Sequence, residues 1–187
     1  MLEIKNIVLG SKSPRRQELL KSIISDFEVI TKDIEEILAD NINPKDAAKY
    51  LAKLKALAYN EEIKNGKTII TSDTVVLLEN NILGKPKNEK EAFEMLSSLS
   101  GKKHKVITGV CILNNEKEVV FDETTTVYFK KLTTTEINYY IKKYKPFDKA
   151  GAYGIQEWIG MVGIEKIEGC FYNVMGLPVA NIYSILN

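Results

Sequence analysis

Cysteine and histidine are scarce in this chain, with two cysteines and one histidine among 187 residues. Cys111 and Cys170 stand far apart and form no C-x-x-C pair. That spacing offers neither a disulfide framework nor a thiolate metal site, so both read as small buried hydrophobes in a reducing compartment. A lone His104 excludes a multi-histidine zinc centre. Neither sign of charge is in excess: 26 basic residues face 25 acidic ones, for a formal net charge of +1. A duplex-binding protein usually carries a strong basic surplus, so no nucleic-acid partner is expected. A small anionic ligand needs only a few local cations and stays open. Long apolar runs are missing too, and none approaches the roughly 20 residues that span a bilayer. The opening Met1-Leu2-Glu3-Ile4-Lys5 runs into a short apolar stretch without the features of a secretory signal. The expectation is a cytoplasmic protein with no membrane partner.

What is present is the make-up of a globular protein, 44% hydrophobic and 27% charged, expected to fold as one domain over residues 1–187. Strands are predicted at 4–9, 27–31, 68–78, 105–113 and 118–128, with a hairpin turn at Asn80-Asn81 and a further strand within 160–167. Pro14 after Ser13 starts one helix, and Asn43-Pro44 opens another whose apolar face runs from Ala47 to Ala58. Further helices are predicted at 88–99, 133–143 and 179–186, and a loop at 146–154. The class is mixed α/β, without the strict alternation of a doubly wound fold.

Four stretches carry candidate chemistry. Ser11-Lys12-Ser13-Pro14-Arg15-Arg16 places two serines and two arginines at a helix N-terminus, where unpaired N–H groups attract phosphate. The plainer alternative is an ordinary capped helix with exposed arginines. In Ser72-Asp73-Thr74, a carboxylate sits inside an apolar strand and is costly to bury unless a metal ion, a water or an arginine pairs with it. The alternative is a strand-end carboxylate bonded to backbone. Gly84-Lys85-Pro86 fixes a lysine between two backbone punctuators, although solvated loop lysines are common. The segment from Asp148 to Gln156 alternates glycine with small residues, permitting close backbone approach, and ends on an amide able to read a base edge. His104 and Trp158 read as packing or capping residues rather than catalysts.

In order, these stretches resemble the Maf family over nearly the whole chain. The likeness runs from S-x-S-P-R-R-x-E-L-L at Ser11, through Leu51-Ala52-Lys53-Leu54-Lys55-Ala56 and Leu99-Ser100-Gly101 with His104, to Gly176-Leu177-Pro178. It implies an elongated mixed sheet flanked by helices, two lobes around a cleft, and a fold like the inosine triphosphate pyrophosphatases. By resemblance, Asp73 is the proton acceptor, and Arg15, Thr74 and Gln156 hold positions tied to substrate choice. Ser11, Arg16, Glu36, Lys55 and Lys85 match residues lining the same pocket, while the sequence leaves open whether Glu35 or Glu36 points inward. Arg15 and Gln156 match the branch acting on dTTP and UTP; the branch associated with 7-methyl-GTP replaces them with tryptophan and glutamate.

The expected reaction is hydrolysis of a pyrimidine nucleoside triphosphate to the monophosphate and pyrophosphate. Mg²⁺, or alternatively Mn²⁺, is expected on Glu36 and Asp73, with Arg15, Lys55 and Lys85 offsetting phosphate charge. A homodimer suits this type of fold. The competing reading is a nucleotide-binding regulator of septum formation that acts through a protein partner.

Overall fold

The structure is a computed structural model that describes residues 2–39 and 41–187. Its strands are β1 (Ile7–Leu9), β2 (Glu28–Val29), β3 (Thr68–Leu78), β4 (Asn81–Leu83), β5 (Lys103–Leu113), β6 (Glu118–Phe129) and β7 (Ile164–Glu168). The helices are α1 (Pro14–Lys21), α2 (Ala47–Ala56), α3 (Asn60–Lys64), α4 (Glu89–Leu99), α5 (Thr134–Tyr144), α6 (Trp158–Gly163), α7 (Phe171–Met175) and α8 (Val179–Leu186). The strands follow the order β2-β1-β3-β5-β6-β7, with β4 paired to β3. β1 runs parallel to β2 and β3, whereas β3–β4 and β6–β7 are antiparallel, so the sheet is mixed as expected. Among the described residues, no helix is long and apolar enough to cross a membrane.

Several boundaries differ from the sequence expectation, each for a local reason. The first strand begins only at Ile7, because Asn6 turns the backbone into the left-handed region at φ 61°. The second strand shrinks to Glu28–Val29, both exposed. Asn43 does not open a helix; its side-chain oxygen accepts from the Lys45 N–H at 3.0 Å, and the resulting turn delays α2 to Ala47. The hairpin turns at Glu79-Asn80, since Leu78 pairs with Asn81 and Glu79 adopts φ 58°. The strand expected within 160–167 forms as β7 from Ile164, preceded by the short helix α6. Trp158, Ile159 and Val162 are sheltered while Met161 is exposed, a helical period that two glycines obscure in the sequence.

Backbone contacts divide the chain into two compact units. The first comprises Met1–Asp73, Thr108–Glu123 and Gly176–Asn187. Here the small buried face of α2, with Ala48, Ala52 and Ala56, lies close against β5. A Cβ built on Gly109 would stand 2.3 Å from the Ala48 carbonyl carbon, so only glycine admits this approach. Cys111 fills the gap beside Ala52 and Ala56, and burial pushes its thiol up to about 11. Thr71 donates to the Ala52 carbonyl at 2.7 Å, tying α2 to β3.

The second unit comprises Thr74–Ile107 and Thr124–Met175. Its core gathers Val76, Leu96, Val127, Phe129, Ile137, Tyr140, Tyr153 and Ile159 from strands and helices. Thr133 and Glu136 form a reciprocal capping box at the start of α5. Cys170 is half-buried rather than buried, its backbone held by the Thr125 hydroxyl.

His104 lies inside this core, 2.7 Å from the Tyr153 hydroxyl and edge-on to Phe129 and Tyr153. Burial lowers its pKa from 6.5 to about 4, so the folded ring is neutral where the unfolded ring takes up a proton. The stabilising share is therefore complete above pH 6.5 and fades as pH falls toward about 4. Between pH 7 and 4 the wild type should lose about 3 kcal/mol more than His104→Asn in urea melts. Parallel pH profiles for the two proteins would contradict this.

Candidate active site

Within the first unit, Asp73 sits inside β3 between flanking β-branched and apolar residues, with its side chain only 12% exposed. Such a carboxylate needs a partner, and the structure supplies Lys55, whose ammonium donates to the Asp73 Oδ1 at 2.6 Å. The partner is thus a lysine, which was not among the three partners expected from sequence. Lys55 projects from α2, and its ammonium also lies 3.1 Å from the Glu36 Oε1. That contact distinguishes the two neighbouring glutamates: Glu36 joins the cluster. Lys55 is 13% exposed and Glu36 45%, so the pair opens to solvent on the Glu36 side.

Arg16 reaches the same strand from α1. Its Nε donates to the Gly176 carbonyl at 2.9 Å and its Nη1 to the Ser72 carbonyl at 2.8 Å. Burial lowers the Arg16 pKa, Asp73 opposes that shift, Arg15 adds to it and Glu36 opposes it. The guanidinium stays protonated. One donor holds the backbone next to Asp73 and another the Gly176 carbonyl, a bracing job that the sequence did not reveal. Ser11 is buried, and its hydroxyl accepts from the Ser13 N–H at 3.2 Å. Ser13 occupies the cap position of α1, yet its side chain makes no cap hydrogen bond. Arg15, half-buried in the first turn of α1, is close enough to influence Arg16 electrostatically. Three cations and two carboxylates thus converge here.

The donor set suits a hard divalent cation. Asp73 and Glu36 flank the Lys55 ammonium, which contacts one oxygen of each carboxylate. Among the described residues no group of three or more histidines, cysteines and acids gathers to hold a metal. Mg²⁺ commonly binds one or two carboxylates and takes its remaining oxygens from phosphate and water.

Thr74, Lys85 and Gln156 belong to the second unit. Thr74 follows Asp73 along β3 and is half-buried. Lys85 is exposed on a loop whose preceding residue is fixed, since the Gly84 carbonyl accepts from the Gly151 N–H at 3.0 Å. Gln156 is exposed at the rim of an open groove of about 420 Å³, walled by Ile155, Met161, Ile164, Ile167 and Phe171. The groove takes in Gln156 and none of the acids named above, Asp73 and Glu36. Trp158 packs edge-on to Tyr139, as expected of a packing residue.

Comparison with known proteins matches residues 6–187 to the family described as Maf-like protein. The dTTP/UTP pyrophosphatase of Parabacteroides distasonis is 50% identical over 181 residues, covering 96% of this chain and 94% of that protein. The protein of the same name from Flavobacterium johnsoniae is 47% identical over 180 residues, covering 96% and 93%. Among solved structures, the Staphylococcus aureus Ham1 protein aligns with a TM-score of 0.50 at 20% identity, over 67% of this chain and 72% of that one. The last likeness is one of fold alone.

Proposed function

The chain belongs to the Maf family, and from that premise we propose that it hydrolyses pyrimidine nucleoside triphosphates, dTTP and UTP foremost, to the monophosphate and pyrophosphate. The observation that carries the reading is the sheltered Asp73 carboxylate, aimed by Lys55 beside the more open Glu36.

In this proposal Asp73 orients a water and accepts its proton as the oxygen attacks the α-phosphorus. Lys55 fixes the Asp73 carboxylate, and Arg15 and Lys85 offset charge on the departing pyrophosphate. Ser11 and Thr74 line the nucleotide's path, and Arg16 holds the Ser72 carbonyl so that β3 presents Asp73 in one orientation. Glu36 and Asp73 are the residues that would hold Mg²⁺ or Mn²⁺. When bound, the ion neutralises phosphate charge and lowers the pKa of a coordinated water. Chelation with EDTA should remove turnover and Mg²⁺ should restore it; activity persisting in metal-free buffer would reject the ion.

Gln156 is proposed to read the base, its amide offering one donor and one acceptor to the imide edge of uracil or thymine. Gln156→Glu leaves acceptors only and should lower kcat/KM for UTP and dTTP by about tenfold or more relative to other nucleotides. A pyrophosphate-release assay over a nucleotide panel tests both statements. An unchanged ranking in the variant defeats the base-reading role, and a wild type preferring purine nucleotides defeats the substrate class. The relatives' enzyme names do not favour the non-catalytic regulator. The proposal also treats residues 1–187 as one catalytic domain, working as a cytoplasmic homodimer. Sedimentation at monomer mass would remove the dimer.

A further inference from the structure

A glutamine amide is an ambiguous reader. Turning it by half a rotation exchanges its donor and acceptor, so a freely turning Gln156 would serve the cytosine edge as well as the uracil edge. Selection between the two needs something that fixes the amide.

The turn that carries Gln156 is braced wholly inside the second unit. The Tyr140 hydroxyl, projecting from α5, accepts from the Gly154 N–H at 3.0 Å and donates to the Glu157 carboxylate. Burial pushes the Tyr140 phenol up, which keeps its proton available for that donation. The other Glu157 oxygen lies 3.1 Å from the Lys149 ammonium, which also donates to Asp148 at 2.7 Å. The Lys149 side chain is 9% exposed and that of Glu157 18%, so both are sheltered from competing water. Gly154 lies beneath the network. A Cβ built there would stand 3.0 Å from the Glu157 Cδ, 3.1 Å from the Lys149 Cε and 3.2 Å from the Gln156 Nε2. The amide nitrogen of Gln156 therefore rests over a glycine whose N–H and surroundings are tied down on both sides.

We propose that Tyr140, Lys149 and Glu157 are positioning residues that hold the Gly154–Glu157 turn and so set how the Gln156 amide is presented to the base, and with it the preference for uracil and thymine over cytosine. This rests on the reading of Gln156 as the residue that meets the base.

The test measures kcat/KM for UTP and CTP in the full-length Tyr140→Phe, Gly154→Ala and Gln156→Ala proteins, and in the Tyr140→Phe/Gln156→Ala double variant. Tyr140→Phe should lower the UTP-to-CTP ratio about tenfold, through KM rather than kcat. Gly154→Ala, which crowds the amide directly, should shift the same ratio and serves if Tyr140→Phe folds poorly. In the Gln156→Ala background, Tyr140→Phe should leave the ratio unchanged. A loss shared equally by UTP and CTP, or a fall in Tm with the ratio intact, would mean that the network only supports the fold and would overturn the proposal. If Gln156→Ala alone leaves the ranking untouched, the base-reading role fails and the positioning role falls with it; if only Gln156→Ala moves the ratio, the positioning role fails alone.

Discussion

Asp73→Asn should lower kcat by about a hundredfold or more while leaving the fold in place. An amide has almost the shape of a carboxylate, and its oxygen can still accept from the Lys55 ammonium that now donates to Asp73 at 2.6 Å. It cannot take up a proton from water or lend a negative charge to a divalent ion. Steady-state kinetics with UTP and a thermal melt check the two halves together. Near-normal turnover by a folded variant removes Asp73 from the chemistry, and an unfolded variant would make the residue a keystone of β3 instead.

Lys55→Met carries the second large effect. The substitution keeps much of the stem that packs along α2 but deletes the charge lying 2.6 Å from Asp73 and 3.1 Å from Glu36. Leaving a sheltered carboxylate without its partner usually costs about 3–5 kcal/mol when both are fully buried. Asp73 and Lys55 retain 12% and 13% exposure, and Glu36 is nearly half exposed. A loss of about 2 kcal/mol is therefore expected in urea melts. Mg²⁺ should restore part of that loss in the variant and do less for the wild type, where the ammonium already answers the two acids. Unchanged stability, or no difference in the Mg²⁺ response, would mean the three groups are not coupled.

The sequence made regular elements readable where local chemistry and packing agree. Thr68–Leu78 is dense in β-branched residues, and Val179–Leu186 carries an apolar helical face; both form at their expected bounds. Thr133 announces α5 through a capping box. Legibility failed where a single backbone angle or a glycine decided the outcome, at Asn6, Glu79 and the start of α6. The candidate site divides in the same way. Asp73 was legible because a carboxylate inside an apolar strand demands a partner. Which partner was not, since Lys55 lies on a helix tied to β3 by the Thr71 hydrogen bond to the Ala52 carbonyl. Glu36 could not be chosen over Glu35, because the irregular stretch before α2 has no period to orient its side chains. Tyr140 and Glu157 lie outside the four stretches, and Lys149, though inside the last of them, shows its role only through tertiary contact with Glu157.

One isotope experiment reaches the centre of the proposed chemistry. When UTP is hydrolysed in water enriched in heavy oxygen, attack at the α-phosphorus places the label in UMP and none in pyrophosphate. Label found in pyrophosphate, or orthophosphate released in its place, would show that water is directed at a different phosphorus.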